Sequence, residues 1–136
     1  MEKYYSKVEK DKLLHVVTRL GEIVNRTEII PKDNFIQCAS LKMNKGKTFR
    51  PHEHIKKKRA YNDQIAQESW IVIKGRVRCV FYDLDHEVLS TPILESGDAS
   101  FTLEGGHTYE ILEDDTIVYE YKTGPYEGVE FDKKFF

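Results

Sequence analysis

The chain has 136 residues, of which 40% are apolar and 32% charged, and its formal net charge is -2. These values are typical of one soluble domain, and the near balance of 21 basic and 23 acidic residues gives no reason to expect a nucleic-acid or membrane partner. No apolar stretch approaches the roughly 18 residues needed to cross a bilayer, and the charged N-terminus is unlike a signal peptide. We therefore expect a cytoplasmic protein.

Short strands separated by turns follow one another along the chain. Residues 14–20 are apolar, but the run is too short to distinguish a strand from a helix. Residues 35–43 are predicted to form a strand. Residues 68–74 and 76–82 are β-rich runs on either side of one glycine, which predicts a hairpin. The remaining predicted strands are residues 88–94, 100–103, 107–112 and 116–122.

About eight short strands at this spacing predict an all-β sandwich or barrel, and a jelly roll is the form that fits this length and encloses a site. We expect one compact domain in which residues 1–34 form an N-terminal arm and residues 35–136 form the barrel. Residues 55–67 are long enough for a lid over the site, and a solvent-exposed loop is the alternative.

The two cysteines, Cys38 and Cys79, each lie inside an apolar strand-like run. Two buried thiols in a reducing compartment are the favoured interpretation, and a disulfide is the alternative.

Two histidines two residues apart are the most informative feature. His52 and His54 follow a glycine turn at Gly46. Residues i and i+2 of a strand point to the same face, so both imidazoles are able to bind one ion.

A carboxylate follows at the start of an apolar strand. Glu68 shares its strand face with Trp70 and Val72, which predicts that its side chain points inward, where a carboxylate needs a partner. A metal ion is the favoured partner, and an ion pair with an inward Arg50 or Arg78 is the alternative.

A third imidazole, His107, follows two glycines and shares its strand face with Tyr109. Three histidines and one carboxylate predict a site for a divalent transition metal, and this donor set does not discriminate among Fe, Mn, Ni, Co and Zn. His15 is isolated and His86 lies in a polar turn, so neither is expected to be a ligand.

Other side chains are candidates for contact with a substrate. Arg50 shares a strand face with the two histidines and is predicted to hold a substrate carboxylate or phosphate. Trp70 and Tyr109 either stack on a sugar or other ring or belong to the core, and Tyr126 is predicted to close over the mouth. Tyr109 or Glu68 is a candidate for proton transfer.

The spacing of these residues resembles the first signature motif of the cupin superfamily. The matching positions are Gly46, His52, His54, Glu68 and Gly75. Thirteen residues separate His54 from Glu68, where the family usually has three or four.

The second cupin signature is similar to the stretch from Gly97 through Gly105 to His107, with Leu103 where the family has a proline. Residues 75–83 and 116–126 further resemble small cupin-fold metalloproteins found among bacterial surface-polysaccharide genes. The resemblance implies a jelly-roll barrel with the four metal ligands in its mouth and a homodimer joined through an N-terminal strand.

Three functions fit this resemblance. The leading hypothesis is a metal-dependent enzyme, an isomerase, epimerase or dioxygenase acting on a small molecule such as a sugar derivative. The second is a metal-independent sugar ketoisomerase or epimerase in which His52 and His54 act as acid and base. The third is a cupin that binds a small ligand without turnover, because this fold serves many reactions as well as simple binding.

Overall fold

The computed structural model describes residues 1–42, 44–45, 47–52, 65–123, 134 and 136. Three residues named above, Gly46, His54 and Tyr126, lie outside the described residues, as do residues 55–64 of the predicted lid. The predictions made for them therefore stay predictions.

The described residues form an all-β protein, as expected, with one 3-10 turn at Leu20–Glu22 and no α-helix among them. The strands are β1 (Glu2–Tyr5), β2 (Leu13–Thr18), β3 (Thr27–Glu28), β4 (Ala39–Ser40), β5 (Glu68–Lys74), β6 (Val77–Tyr82), β7 (Val88–Ser90), β8 (Ile93–Leu94), β9 (Ala99–Thr102), β10 (His107–Ile111) and β11 (Ile117–Lys122).

Two antiparallel sheets make up most of the fold. The five-stranded sheet has the order β1-β2-β9-β5-β11, and the four-stranded sheet has the order β10-β6-β7, with β8 pairing β6. A separate pair is formed by β3 and β4. From β5 onward the chain crosses between the two large sheets after β5, β8, β9 and β10, whereas β6, β7 and β8 all lie in the four-stranded sheet. No closed barrel is found within the described part of the chain.

The predicted hairpin about Gly75 is wrong. β5 pairs with β9 and β11, whereas β6 pairs with β10, β7 and β8, so the two strands lie in different sheets. Val72 of β5 and Val77 of β6 belong to one buried cluster, and this arrangement requires the strands to face each other rather than to pair side by side. Gly75, with φ +89°, makes the turn from one sheet to the other.

The ambiguous run near the N-terminus is strand β2, which lies between β1 and β9. Each residue from Leu14 to Val17 is 0% exposed, because both faces of the five-stranded sheet are covered at this point. Much of the predicted N-terminal arm is therefore part of the main sheet, and β1 pairs with β2 of the same chain.

Two further predicted strands differ from the structure. Within residues 35–42 only Ala39–Ser40 is a strand; Ile36 N–H instead donates to the Gln67 side chain at 2.9 Å. The predicted strand 88–94 is divided into β7 and β8 on either side of Pro92, which has no N–H to donate to a neighbouring strand.

Two apolar cores lie on opposite faces of the five-stranded sheet. The inner core, between the two sheets, contains Val17, Val72, Val77, Cys79, Phe81 and Leu94. The outer core contains Val16, Ile29, Ile30, Ala99, Phe101 and Leu103, with Cys38 packed against it. Both cysteines are free thiols, as the favoured interpretation expects; Cys79 is buried as predicted, whereas Cys38 is only half-buried.

Candidate metal and ligand cleft

A cleft of about 790 Å³ opens between the two sheets at the end of the inner core. Its walls are formed by the start of β5, the start of β10 and the turns that follow β6 and β9. Glu68, Trp70, His107 and Tyr109, all predicted to belong to the site, line this cleft. The inward direction predicted for Glu68 agrees with its burial and with the position of Val72 in the inner core.

A row of polar side chains crosses the five-stranded sheet at the floor of the cleft. His15 of β2 lies opposite Thr102 of β9, Thr102 lies opposite Glu68 of β5, and Glu68 lies opposite Lys122 of β11. Residues paired in this way share a face of the sheet, so all four side chains project toward the four-stranded sheet.

Glu68 meets His107 across the two sheets. The Nε2–H of His107 donates to Glu68 Oε1, and the two atoms are 3.1 Å apart. Glu68 is only 7% exposed, so its carboxylate is held in a largely dry setting beside the imidazole. The buried Nδ1 of His107 has no hydrogen-bond partner within the described part of the chain. The ring binds a metal through Nε2 only when its hydrogen is carried by Nδ1 instead.

This pair of side chains fits a metal ion. Two atoms that bind one ion at about 2.1 Å and at right angles to each other lie about 3.0 Å apart. The Oε1 of Glu68 and the Nε2 of His107 already have this spacing, and an oxygen with a nitrogen is a donor set that suits several divalent transition metals.

The alternative partner predicted for Glu68, an inward arginine, does not contact it. Arg78 points away from the cleft and pairs with Glu110 at 2.6 Å on the outer surface. Arg50 is exposed and does not line the cleft.

His52 is exposed and lies outside the cleft wall. Its Nδ1–H donates to the backbone carbonyl of Arg50 at 2.9 Å. Among the described residues, no three His, Cys, Asp or Glu side chains converge as a metal site would require. The structure thus brings together two of the four predicted ligands, leaves His52 apart, and does not describe His54.

Trp70 and Tyr109 pack on each other rather than standing apart. Their rings stack with centroids 3.9 Å apart, Trp70 Nε1–H donates to Glu120 at 3.2 Å, and Tyr109 OH lies 3.3 Å from Ser100 Oγ. Burial raises the pKa of Tyr109, with the hydrogen bond to Ser100 as an opposing effect. Tyr109 therefore keeps its proton, and one face of each ring is already used by the other ring.

Several wall residues were not found by sequence reasoning. Glu120 and Thr102 lie on inward positions of their strands, and the alternation of polar and apolar residues in those strands was the available signal. His86, with φ +68°, stacks on Phe136 at 4.0 Å, and the ring of Phe136 also meets Tyr82 edge-on at 5.1 Å. Nothing local in the sequence connects residue 136 with residue 86.

The wall is rich in carboxylates whose partners are already fixed. Asp83 accepts hydrogen bonds from Ser6 Oγ and Lys7 N, both at 2.6 Å. Desolvation raises the pKa of Asp83, but these hydrogen bonds lower it by more, so the group stays ionised. Glu104 pairs with Lys12 at 2.8 Å. The negative charge of the wall favours a cationic occupant.

Comparison with protein-family models, with curated proteins and with solved structures gave no match to this chain. Within the residues that the structure describes, no helix is long and apolar enough to cross a membrane.

Proposed function

We propose that the cleft is a divalent transition-metal site in a cupin-like jelly roll, and that the protein is an enzyme acting on a small molecule such as a sugar derivative. The observation that carries the proposal is the contact between Glu68 and His107, which joins two predicted ligands from different sheets at 3.1 Å. The repeated crossing of the chain between two facing antiparallel sheets supports the jelly-roll assignment.

Each proposed ligand has a distinct role. Glu68 supplies a negative oxygen in a low-dielectric wall, and His107 supplies a neutral nitrogen. A bound metal ion would supply Lewis acidity toward substrate oxygens or a place where O₂ meets the substrate. Trp70 and Tyr109 close the wall beside the pair and keep water from that side.

His52 must approach the cleft to complete the proposed set. β10 has one neighbour, β6, within the described part of the chain, and its first residue is His107. Residues 47–52 are described without strand pairing and end at His52. Addition of this segment along β10 would bring His52 to the side of the cleft where His107 lies.

Metal content and affinity test the proposal. Protein purified without chelator is expected to contain about one equivalent of a transition metal, measured by elemental analysis. Co(II) titration of the metal-free protein is expected to change the fluorescence of Trp70, the single tryptophan, because its ring lines the cleft. Glu68→Gln and His107→Gln are each expected to weaken Co(II) binding by at least about tenfold.

His86→Gln is the matched control, because His86 lies in the same wall but is not a proposed ligand. The proposal is rejected if the wild type holds far less than one equivalent of metal and the two ligand variants bind Co(II) as the wild type does.

A metal-free acid–base enzyme, a sugar ketoisomerase or epimerase, is the second candidate. The hydrogen bond between His107 and Glu68 favours it, because a carboxylate that orients an imidazole is a common acid–base arrangement. It places proton transfer at His107 rather than at His52 and His54. Full activity on a sugar substrate in the presence of a chelator would support this candidate over the metalloenzyme.

A further inference from the structure

The outer face of β11 carries a row of exposed apolar side chains that the proposed function does not use. Ile117, Tyr119 and Tyr121 occupy alternate positions of this strand and are 49%, 56% and 58% exposed. Tyr119 lies opposite Ile71, which packs against the outer core, so all three side chains stand on the outer face of the five-stranded sheet. The rings of Tyr119 and Tyr121 meet edge-on with centroids 6.5 Å apart. A continuous apolar row of this kind is typical of an interaction surface.

The backbone of β11 is also placed for pairing with a further strand. β11 ends the five-stranded sheet, and β5 is its one neighbour within the described part of the chain. Just beyond β11, Thr123 N–H donates to the carbonyl oxygen of Gln67 at 3.0 Å. Because the direction of the backbone groups alternates along a strand, Tyr119 also faces β5, whereas Val118 and Glu120 point their N–H and C=O groups away from it. An edge strand of this kind is a template for pairing with another strand.

A second copy of β11 fits this edge best in one antiparallel register. A register centred on Glu120 would set two like charges directly opposite each other, which is unfavourable. Registers centred on Val118 or Tyr121 would set a tyrosine of the row opposite a polar residue. The register centred on Tyr119 sets this residue opposite its own copy and Ile117 opposite Tyr121, so the whole apolar row is paired.

We propose that β11 pairs with β11 of a second copy of this chain, so that the five-stranded sheet continues across a two-fold axis at Tyr119. The aromatic–aromatic and aromatic–β-branched pairs of this register stabilise antiparallel strands, and a two-fold dimer uses the same surface on both copies. Val118 and Glu120 exchange backbone hydrogen bonds between the copies. Glu120 also lines the cleft, so the interface adjoins the cleft of each copy. The dimer does not depend on the proposed metal site.

The opposite edge of the same sheet is a poorer match for a second copy. The exposed side chains of β1 are Lys3 and Tyr5, a charge and a single ring. The dimer proposed here therefore differs from the one that the family resemblance implies, which is joined through an N-terminal strand.

Disulfide trapping tests the register. In a Cys38→Ser background, in which the remaining Cys79 is buried, Tyr119→Cys is expected to form a disulfide-linked dimer under mild oxidation. A residue on the axis faces its own copy with Cβ atoms about 4.5–5.5 Å apart, which is close enough for a disulfide after a small adjustment. Tyr121→Cys and Tyr5→Cys are the matched controls, because both tyrosines are exposed but neither lies on the axis. Cross-linking at Tyr121 or Tyr5 in place of Tyr119 would overturn the proposal.

Charge substitutions at Tyr119 test the symmetry in solution. Sedimentation velocity at about 10 µM to 1 mM covers the range expected for a small interface, and the wild type is expected to dimerise within it. Tyr119→Lys and Tyr119→Glu should each weaken the dimer at least about tenfold, because like charges then meet at the axis. An equimolar mixture of the two should dimerise again, because a lysine then faces a glutamate. Tyr119→Phe, which keeps the ring, should dimerise as the wild type does.

A wild type that stays monomeric over this range would overturn the proposal, and the outer face of β11 would then be left to another protein or to a segment of the same chain. A mixture of the two charged variants that stays monomeric would also overturn it, provided that both keep the unfolding midpoint of the wild type. If either charged variant does not fold, the trapping of Tyr119→Cys against Tyr121→Cys decides the proposal.

Discussion

The rings of Trp70 and Tyr109 lie face to face, with centroids 3.9 Å apart and planes inclined by 6°. Trp70 belongs to the five-stranded sheet and Tyr109 to the four-stranded sheet, so the stack joins the two sheets beside the cleft. Such aromatic pairs contribute about 0.5–1.5 kcal/mol beyond the burial of their area. The pair next to it, Glu68 and His107, is thereby held at one spacing by packing that does not depend on its own hydrogen bond.

The turn before His107 is expected to be sensitive to a single methyl group. Gly105 has φ +82°, and a Cβ there would lie 2.7 Å from the carbonyl oxygen of Tyr82. Gly105→Ala is expected to lower the free energy of unfolding by about 1–3 kcal/mol, because strain of this kind cannot relax without moving the turn. Denaturant unfolding measures this loss. Gly21→Ala is the control: a Cβ on Gly21 meets nothing within 4 Å, so a loss similar to that of Gly105→Ala would contradict the argument.

The buried imidazole of His15 predicts a pH dependence of stability. The unfolded chain takes up a proton near pH 6.5, whereas burial lowers the pKa of the folded group to about 4. The contribution of His15 to the free energy of unfolding is therefore complete above pH 6.5. It is lost as the pH falls toward 4, in total about 3 kcal/mol. Chemical denaturation at several pH values measures how the free energy of unfolding changes with pH. In His15→Phe this part of the slope should vanish, and an unchanged slope would assign it to other groups.

Among the described residues, Arg19 is the cation expected to contribute most to stability. Its guanidinium donates to Glu2, to Asp98 and to the carbonyl oxygen of Ile93, at 2.8, 2.8 and 2.6 Å. Arg19→Met leaves the buried carboxylate of Asp98 without its cation and is expected to cost about 2–4 kcal/mol in thermal or chemical unfolding.

A surface ion pair provides the comparison for Arg19. Arg26 pairs with Glu28 at 2.7 Å, but both side chains are at least half exposed. Arg26→Met is expected to change the free energy of unfolding by less than about 0.5 kcal/mol. Similar losses of unfolding free energy in Arg19→Met and Arg26→Met would show that burial of the carboxylate partner does not determine the stabilising effect of an arginine.

The two thiols are expected to react at different rates. Burial raises the pKa of Cys79 to about 12, whereas Cys38 is only half-buried and its pKa is raised less. With an aromatic disulfide reagent at pH 8, Cys38 should react first in the folded protein, and Cys79 should react only after unfolding. The release of the coloured thiolate counts the reacted groups, and Cys38→Ser should abolish the early phase. An early phase that persists in this variant would contradict the assignment.

The sequence predicted the strands of the site better than their arrangement. The bounds of β5 match the predicted residues 68–74, because alternating side chains end there at a glycine. Whether the next strand pairs with β5 or faces it is not a local property, and the hairpin prediction at Gly75 failed for that reason. The irregular path of residues 35–38 is likewise set by tertiary contacts, including the bond from Ile36 to Gln67.

The same limit applies to the site. The inward direction of Glu68 follows from the two-residue period of a strand, and its meeting with His107 was predicted only through a shared metal. His15 had no neighbour in the sequence that marked it as important, because its partner Thr102 lies 87 residues away.

The polar row from His15 through Thr102 to Glu68 also has a consequence for the order in which the chain folds. β9 pairs with β2 on one side and with β5 on the other, so the middle of the large sheet is completed only when residues 99–102 are available. Contacts between residues so far apart in sequence slow folding. A nascent chain exposes the apolar residues of β2 for most of its synthesis, and we expect that strand to be the part that chaperones must protect.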